Sequence, residues 1–255
     1  MPELTAPAGV VDRPRASGLR CVAIVPCLNE EASIAGVIRE LRDVEPAFEI
    51  VVVDDCSTDG TAALARSQGA RVIRLPYNLG IGGAVQTGYR YALEHGFDVA
   101  VQVDGDGQHD PTQLGVVLEP ILAGDADMVV GSRFAGAGTY VAPRARRVGI
   151  RLFAWLASTL CRQRLTDPTS GFRAVNRKGI ELFAHDYPHD FPEVEAIVMA
   201  VRQRLRLREV AVSMRGRTGG RSSITAMRSL YYVIKVTLAV LIGLSRRNVV
   251  PQEEQ

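Results

Sequence analysis

The sequence predicts an α/β protein built on a mostly parallel β-sheet with helices on both faces. Over the first half of the 255 residues, short runs rich in β-branched side chains alternate with segments of helical length. Repeated strand–helix units of this kind form parallel sheets, because each helix carries the chain back across one face of the sheet. Apolar residues make up 47% of the chain and charged residues 23%, which indicates a globular domain with a sizeable core and excludes a disordered chain.

The first half contains five candidate strands and four candidate helices. The strands are expected at residues 21–26, 48–55, 70–75, 98–104 and 127–132. The helices between them are expected near residues 31–42, 59–68, 82–94 and 111–123. Each strand candidate is rich in Val and other apolar residues, as is typical of strands buried on both faces of a parallel sheet.

The second half is less regular. Helices are expected at residues 146–160, 177–184 and 192–204, and a strand is expected at 207–214. Pro and Gly mark turns within residues 166–178, and residues 215–223 form a loop dense in Arg, Gly and Ser.

The chain divides into four parts. They are a loose leader at residues 1–19, one domain at 20–223, a C-terminal apolar or amphipathic helix at 224–247 and a tail at 248–255. The leader is rich in Pro, Ala, Gly and Arg and lacks the apolar stretch of a secretory signal. The four cysteines form neither a C-x-x-C pair nor a zinc-site spacing, so we expect reduced thiols and a cytoplasmic location.

The C-terminal helix is predicted to lie on a membrane surface. Its apolar part, residues 229–244, would be about 24 Å long at ~1.5 Å per residue, which is shorter than the ~30 Å hydrocarbon core of a bilayer. From Val201 onward the chain carries 11 basic and 3 acidic residues, which favours peripheral contact with the inner face of the cell membrane. The alternative is a helix that docks on its own domain or on a second copy of the chain. The net charge of +2 gives no indication of nucleic-acid binding.

Polar clusters follow three of the predicted strands. Asn29 and Glu30 follow the first strand, Asp54 and Asp55 end the second, and an acidic turn follows the fourth. Because ligands bind at the carboxyl ends of the strands in such sheets, we expect these clusters to form one binding site.

The acidic turn contains Asp104, Asp106 and Gln108, with glycines between them. Two carboxylates and an amide suit Mg²⁺ or Mn²⁺ held together with a diphosphate, rather than a closed protein cage. A solvated acidic turn is the alternative, but the position after a buried strand favours the metal site. His109, next in the chain, is interpreted mainly as a turn residue and less favourably as a metal ligand.

Two further clusters suit a nucleotide. A buried carboxylate at Asp54 or Asp55 can accept from an imide N–H of a base or from ribose hydroxyls, whereas residues 57–59 favour a turn and a helix cap. The segment from Asn78 to Gly83 is rich in glycine but lacks the Lys-Ser/Thr of a P-loop. We interpret its glycines, Gly82 among them, as room for the close approach of a flat base.

Six motifs occur in order along the chain. They are P-x-x-N-E (26–30), VVVDDCSTDGT (51–61), NLGIGGA (78–84), DGDGQHDP (104–111), GSRF (131–134) and DPTSGFRAVNR (167–177). Together they resemble family 2 glycosyltransferases of the GT-A fold, and in particular the branch of dolichyl- or polyprenyl-phosphate hexose synthases. The resemblance covers roughly residues 20–245, nearly the whole chain.

The resemblance implies roles for individual residues. By it, Pro26, Asn29, Glu30, Asp54 and Asp55 line a nucleotide pocket that Asn78 and Gly82 adjoin, and Asp104, Asp106 and Gln108 hold a metal ion on the diphosphate. It also points to phosphate contacts from Arg133, Arg147 and Arg217, the last within an R-x-x-G-x-S motif that ends at Ser222. Arg144 or Arg146 could take the place of Arg147, and a solvated face is the alternative for any one arginine.

The implied function is the metal-dependent, inverting transfer of a hexose from a UDP- or GDP-sugar to polyprenyl phosphate, with Asp106, Arg133 and Arg217 as catalytic residues. A phosphate acceptor is already anionic near neutral pH and needs no general base. One alternative is transfer to a hydroxyl of a soluble acceptor, with Glu193, Glu195 or Asp167 as base, although the two glutamates also suit the first turn of a helix. The other is a non-catalytic subunit that binds nucleotide-sugars, against which the intact acidic turn argues.

Overall fold

A seven-stranded sheet forms the centre of the protein. The computed structural model describes residues 18–135, 154–155, 158–159, 161, 163–189 and 192–215. The strands are β1 (Cys21–Cys27), β2 (Glu49–Asp54), β3 (Arg71–Arg74), β4 (Val99–Gln102), β5 (Met128–Ser132), β6 (Arg173–Asn176) and β7 (Leu207–Ala211). Their spatial order is β3-β2-β1-β4-β6-β5-β7, and β6 runs antiparallel to both of its neighbours, whereas every other pair is parallel.

Within the described residues, the sheet is flanked by helices with the following bounds. They are α1 (Ile34–Val44), α2 (Thr61–Ser67), α3 (Gly80–Glu94), α4 (Leu114–Leu122), α5 (Arg177–His185) and α6 (Pro192–Arg202). A single 3₁₀ turn, Pro111–Gln113, precedes α4, and the Asp110 side chain caps it by accepting the N–H of Thr112 at 3.0 Å. The predicted strand–helix alternation is therefore confirmed, with element ends that differ by a few residues.

The sheet divides the core into two apolar layers. Along β1, Val22 and Ile24 face the layer that contains α3, α5 and α6, whereas Ala23 and Val25 face the layer that contains α1 and α4. This alternation is the period of two of a β-strand, and both sets are apolar because both faces of the sheet are covered. Gly88 brings α3 close to the sheet, since a Cβ there would lie 2.2 Å from Cγ2 of Ile24.

The sequence analysis did not predict strand β6. Residues 166–178 were interpreted as turns because of their Pro and Gly, but Arg173–Asn176 form a central strand. The strand has only four residues and forms because β4 and β5 pair with it on both sides. Local patterning does not reveal such a strand, because its stability comes from its neighbours. The segments 146–153 and 224–247 lie outside the described residues.

A buried carboxylate joins β5, β6 and the turn before β7. Asp127 is 2% exposed and accepts hydrogen bonds from Nε (2.9 Å) and Nη2 (3.0 Å) of Arg206 and from Nδ2 of Asn176 (2.8 Å). The hydrogen bonds from Arg206 outweigh the cost of burial and hold the pKa of Asp127 well below its ordinary value of 3.8. A carboxyl of lowered pKa stabilises the folded state fully above its ordinary pKa, and that stabilisation is lost as the pH falls towards the folded-state pKa.

We expect Asp127→Asn to lower the free energy of unfolding at pH 7 by about 1–3 kcal/mol, because charge-assisted hydrogen bonds are lost. The deficit should shrink below about pH 4, where the parental carboxyl also loses its advantage. Urea denaturation at pH 7 and pH 3 measures both effects. Asp125→Asn, at an exposed neighbouring position, is the control and should behave like the parent. Equal stability of the Asp127 variant and the parent at both pH values would contradict this account.

Candidate active site

A cleft of about 380 Å³ opens at the carboxyl edge of the sheet. It is lined by Pro26, Cys27, Leu28, Glu30, Asp55, Asn78, Gly80, Ile81, Ala84, Asp104, Gly105 and Asp106. These residues come from the end of β1 and the turn after it, from the turns after β2 and β4, and from the start of α3 with Asn78 just before it. The cleft therefore lies where the polar clusters were predicted to meet.

The turn after β1 is tied to the turn after β2. Asn29 adopts a left-handed backbone conformation (φ +55°), and its side-chain carbonyl accepts the N–H of Thr58 at 2.8 Å. Its own N–H donates to Oγ of Ser57 at 2.9 Å. Glu30 and Pro26 line the cleft. Asn29 is not among the lining residues and instead joins the two turns through its hydrogen bonds. The nucleotide contact of Asn29 stays a prediction.

The two adjacent aspartates at the end of β2 have different surroundings. Asp55 borders the cleft and accepts the backbone N–H groups of Leu79 (2.7 Å) and Gly80 (2.9 Å), so that its charge lies at the positive end of α3. Asp54 is fully buried, accepts the N–H of Ser57 at 3.1 Å, and lies 3.4 Å from Nε of Arg74. The structure thus places Asp55 in the cleft and Asp54 beneath it.

The loop after Asp55 is a turn, as predicted, but the N-cap position of α2 is Gly60, which has no side chain with which to cap the helix. Asp59 accepts the N–H groups of Thr61 (3.0 Å) and Glu31 (3.2 Å), and although burial opposes the charged form, these hydrogen bonds lower the pKa of Asp59. Cys56 has a φ of +66°. This left-handed conformation costs a residue with a Cβ about 1–2 kcal/mol, so the turn holds Cys56 against its own preference.

Two glycines of α3, Gly82 and Gly83, allow close contact with neighbouring protein atoms. A Cβ on Gly82 would lie 2.3 Å from the carbonyl oxygen of Pro188, and a Cβ on Gly83 would lie 2.5 Å from Cβ of Leu79. The missing side chain of Gly82 thus leaves room for the backbone of Pro188 and His189, and Gly82 is not among the residues that line the cleft, so its approach to a flat base stays a prediction. Asn78 lines the cleft and accepts the N–H of Gly80 at 3.0 Å.

The acidic turn packs against the end of β1. A Cβ on Gly105 would lie 2.4 Å from Sγ of Cys27, so only glycine allows this approach. Burial, followed by the charges of the surrounding carboxylates (Glu30, Asp54, Asp104 and Asp106), raises the pKa of the Cys27 thiol well above its ordinary value. The thiol is thus neutral, and the turn around it is strongly acidic.

Gln108 orients Asp106. Its backbone N–H donates to Oδ1 of Asp106 at 3.0 Å, and its side-chain amide donates to Oδ2. Asp106 is 8% exposed and still borders the cleft, as does Asp104. Gln108 lies in hydrogen-bond contact with Asp106, and a metal site shared by Asp104, Asp106 and Gln108 stays a prediction.

The donor set fits a divalent cation that shares its coordination with a ligand. Two carboxylates and a neighbouring amide are hard oxygen donors of the kind that Mg²⁺ and Mn²⁺ bind. Within the described part of the chain, no three His, Cys, Asp or Glu side chains are grouped to hold a metal ion by themselves. An ion at Asp104 and Asp106 would therefore complete its coordination with water or phosphate oxygens.

Arg133 forms a buried ion pair with Asp167. Its Nε (2.6 Å) and Nη2 (2.8 Å) donate to the two carboxylate oxygens, and Nη2 also donates to Oγ1 of Thr169 at 3.1 Å. The Arg133 side chain is 9% exposed and that of Asp167 fully buried. Sequence reasoning missed this pair, because no pattern links two residues 34 positions apart. A phosphate would therefore have to compete with the Asp167 carboxylate for the Arg133 guanidinium, and the phosphate contact of Arg133 stays a prediction.

The chain after β7 returns to the acidic turn. The N–H of Arg215 donates to the carbonyl of Gln108 at 2.9 Å, and the guanidinium contacts Asp110 (3.0 Å) and Glu40 (2.6 Å). Arg147, Arg217 and Ser222 lie outside the described residues.

A buried arginine, Arg173, ties the segment before β6 to the start of α6. It is 1% exposed and donates to the carbonyls of Ser170 (2.7 Å), Pro168 (3.2 Å) and Glu193. The Glu193 side chain is half-buried, and its burial raises its pKa against the opposing effect of Arg173. Sequence reasoning considered the glutamate but not the arginine, because a single Arg between Phe172 and Ala174 carries no distinctive pattern.

The comparisons with known proteins agree with this geometry. A family model described as glycosyl transferase family 2 matches residues 22–183. The chain belongs to glycosyl transferase family 2. Its relatives include an undecaprenyl-phosphate mannosyltransferase of Micrococcus luteus, which is 33% identical over 81% of this chain and 88% of that protein. A UDP-N-acetylglucosamine–dolichyl-phosphate N-acetylglucosaminyltransferase of Methanococcus voltae is 29% identical over 74% of this chain and 83% of its own length.

Solved structures identify the fold of this glycosyltransferase. The glucosyl-3-phosphoglycerate synthase of Mycobacterium tuberculosis, crystallised with Mn²⁺, UDP and glucosyl-3-phosphoglycerate, aligns with a TM-score of 0.70 at 21% identity, over 94% of this chain and 86% of that one. The predicted GT-A fold is confirmed. The prediction of an enzyme is confirmed by the family model and by the relatives. In the part of the glycosyltransferase that the structure describes, no helix is long and apolar enough to span a bilayer.

We expect Arg133→Ala to lower the free energy of unfolding of the glycosyltransferase by about 3–5 kcal/mol, because Asp167 would remain buried without its countercharge. Arg133→Lys keeps the charge but loses the two-point contact, so its loss should be smaller. Glu181→Ala is the matched control: it breaks an exposed pair with Arg177 and should change stability by less than about 0.5 kcal/mol. Chemical denaturation measures all three. Parental stability of Arg133→Ala, together with a raised KM for the donor, would show that Arg133 serves the ligand instead.

Proposed function

We propose that this glycosyltransferase moves a hexose from a nucleotide-sugar to polyprenyl phosphate in a single, inverting, metal-dependent displacement. One observation carries the metal-dependent part. The cleft is lined by four acidic side chains, Glu30, Asp55, Asp104 and Asp106, and no Lys or Arg is among the described residues that line it. A divalent cation between these carboxylates and a nucleoside diphosphate would offset the repulsion between their negative charges.

The donor, a UDP- or GDP-hexose, would lie along the turns after β1 and β2. Pro26, Glu30, Asp55 and Asn78 are available to it, because they line the cleft. Asp54 and Asn29 would act by fixing these turns, through hydrogen bonds to Ser57 and Thr58. Arg147 and Ser222 are proposed as further donor contacts from the sequence motifs.

Asp104, Asp106 and Gln108 would hold Mg²⁺ or Mn²⁺. When bound, the ion supplies positive charge that stabilises the departing nucleoside diphosphate. The protein's own contribution is to aim the carboxylates: Gln108 fixes Asp106, and the contact of Gly105 with Cys27 fixes the turn. Arg217, and Arg133 where Asp167 releases it, would add guanidinium donors to phosphate oxygens.

The acceptor is proposed from the chemistry of the site and from the relatives. Two relatives are named for transfer to undecaprenyl phosphate and dolichyl phosphate. A phosphate oxygen attacks without a general base, and Asp167 is engaged as an ion pair with Arg133. The second candidate acceptor is a hydroxyl group, which needs a general base. The raised pKa of Glu193 favours this candidate, because a carboxylate of raised pKa is a stronger base.

Polyprenyl phosphate resides in a membrane, so the enzyme has to reach a membrane surface. We propose that residues 224–247 make this peripheral contact, since their apolar run is flanked by basic side chains. Docking of the same segment on its own domain or on a second copy of the chain stays the alternative.

The metal proposal predicts that Asp106→Ala lowers kcat at least about 100-fold, because stabilisation of the developing charge is lost. EDTA should abolish the parental activity, and added Mn²⁺ should restore it. Asp43→Ala, which removes an exposed carboxylate at the end of α1, is the control and should keep the parental rate. Undiminished turnover in EDTA would refute the metal role.

The acceptor proposal predicts transfer to polyprenyl phosphate and none to the uncharged polyprenol. Arg217→Ala should lower kcat/KM for the lipid phosphate roughly 10- to 100-fold, as expected for one lost charge-assisted hydrogen bond, without weakening UDP or GDP binding. Radiolabelled hexose transfer and calorimetry measure these two quantities. Transfer to a neutral hydroxyl acceptor that Glu193→Gln abolishes would establish the second candidate instead.

A further inference from the structure

His109 is a buried histidine at the edge of the acidic turn, and it has no role in the function proposed above. It is 4% exposed, and its ring stacks on Phe172 with centroids 5.0 Å apart and planes 16° from parallel. Its backbone pairs with Met214 in an isolated antiparallel bridge. The imidazole is therefore held both by its ring and by its main chain.

Both ring nitrogens of His109 are directed to Asp104. The backbone N–H of Asp104 donates to Nδ1 at 3.0 Å, so Nδ1 carries no proton and the neutral ring has its proton on Nε2. Nε2 lies 3.5 Å from Oδ2 of Asp104. That separation is longer than an ordinary hydrogen bond but close enough for electrostatic attraction. Both nitrogens are thus engaged with one residue, which fits a positioning role better than direct metal ligation.

The Asp104 carboxylate is also confined on its other sides. Nε2 of Gln102 donates to Oδ1 at 3.2 Å. A Cβ on Gly171 would lie 3.2 Å from each carboxylate oxygen, so the glycine leaves just enough room for this orientation. The carboxylate nonetheless keeps 35% of its side-chain surface exposed at the cleft. Asp104 is thus confined by Gln102, His109 and Gly171 and exposed on the side that faces the cleft.

We propose that His109 is a positioning residue that fixes the Asp104 carboxylate towards the cleft, ready for the divalent cation that accompanies the donor diphosphate. The proposal rests on the proposed metal-dependent function. The physical reason is preorganisation: a carboxylate that is already oriented loses less freedom when it binds an ion. Partners that orient metal ligands in this way typically contribute 10- to 100-fold to metal affinity.

The test measures Mn²⁺ affinity rather than turnover alone. His109→Phe keeps a ring to stack on Phe172 but removes both nitrogens, and it should raise the Kd of Mn²⁺ in the presence of saturating UDP about 10- to 100-fold. His109→Asn keeps an acceptor near the position of Nδ1 and should raise the Kd of Mn²⁺ by a smaller factor. Electron paramagnetic resonance measures the concentration of free Mn²⁺. The same titrations are repeated with saturating GDP in place of UDP. The KM for polyprenyl phosphate should stay at the parental value while kcat falls.

His95→Phe is the matched control. His95 also stacks on an aromatic ring, that of Tyr91 at 3.9 Å, but it is exposed and lies outside the residues that line the cleft. The control variant should bind Mn²⁺ like the parent. Thermal melts of all variants separate loss of affinity from loss of folding.

A folded His109→Phe variant with parental Mn²⁺ affinity would overturn the proposal. If that variant does not fold, parental affinity of His109→Asn overturns it instead. A parent that binds no Mn²⁺ with either nucleotide overturns both the positioning proposal and the metal-dependent function. A parent that binds Mn²⁺ but transfers no hexose, with affinity weakened in His109→Phe, refutes the proposed reaction and supports the positioning role.

Discussion

The site depends on the parallel pairing of β1 with β2 on one side and with β4 on the other. The register places Cys27 beside Asp54 and Ile24 beside Gln102, so the turns that follow all three strands leave the sheet at one edge. Parallel pairing aligns carboxyl ends, and a sheet whose strand order reverses about a central strand leaves a crevice at that point. The cleft therefore follows from the strand order and not from any one loop.

Four carboxylates of the described residues show two ways in which an acidic side chain is held. Asp127 and Asp167 lie away from the cleft and are paired with Arg206 and Arg133. The cleft residues Asp55 and Asp106 are instead held by neutral donors, namely the backbone N–H groups of α3 and the amide groups of Gln108. Neutral donors fix the geometry of a carboxylate without cancelling its charge.

The segment that includes β6 connects the two halves of the molecule. Within a few residues, Asp167 pairs with Arg133, Gly171 leaves room for Asp104, Phe172 supports His109, and Arg173 holds the start of α6. The conformation of the acidic turn is therefore coupled to the packing of the second half of the chain. A local change in this segment would alter both the stability of the fold and the geometry of Asp104.

The sequence by itself determined the α/β class, the order of the first nine elements and the edge of the sheet at which the site lies. These features follow from local patterns: runs of apolar residues, helical spacing, and polar clusters directly after buried strands. Its ordered motifs also pointed to the correct family.

Only the tertiary structure decided which side chains of each motif face the cleft. It placed Asp55 there and Asp54 beneath, filled the space at Gly82 with the backbone of Pro188, and paired Arg133 with Asp167. It also formed β6, which is stable because β4 and β5 pair with it on both sides. Each of these outcomes depends on a contact between segments distant in the chain, and such contacts leave no mark in the spacing of neighbouring residues.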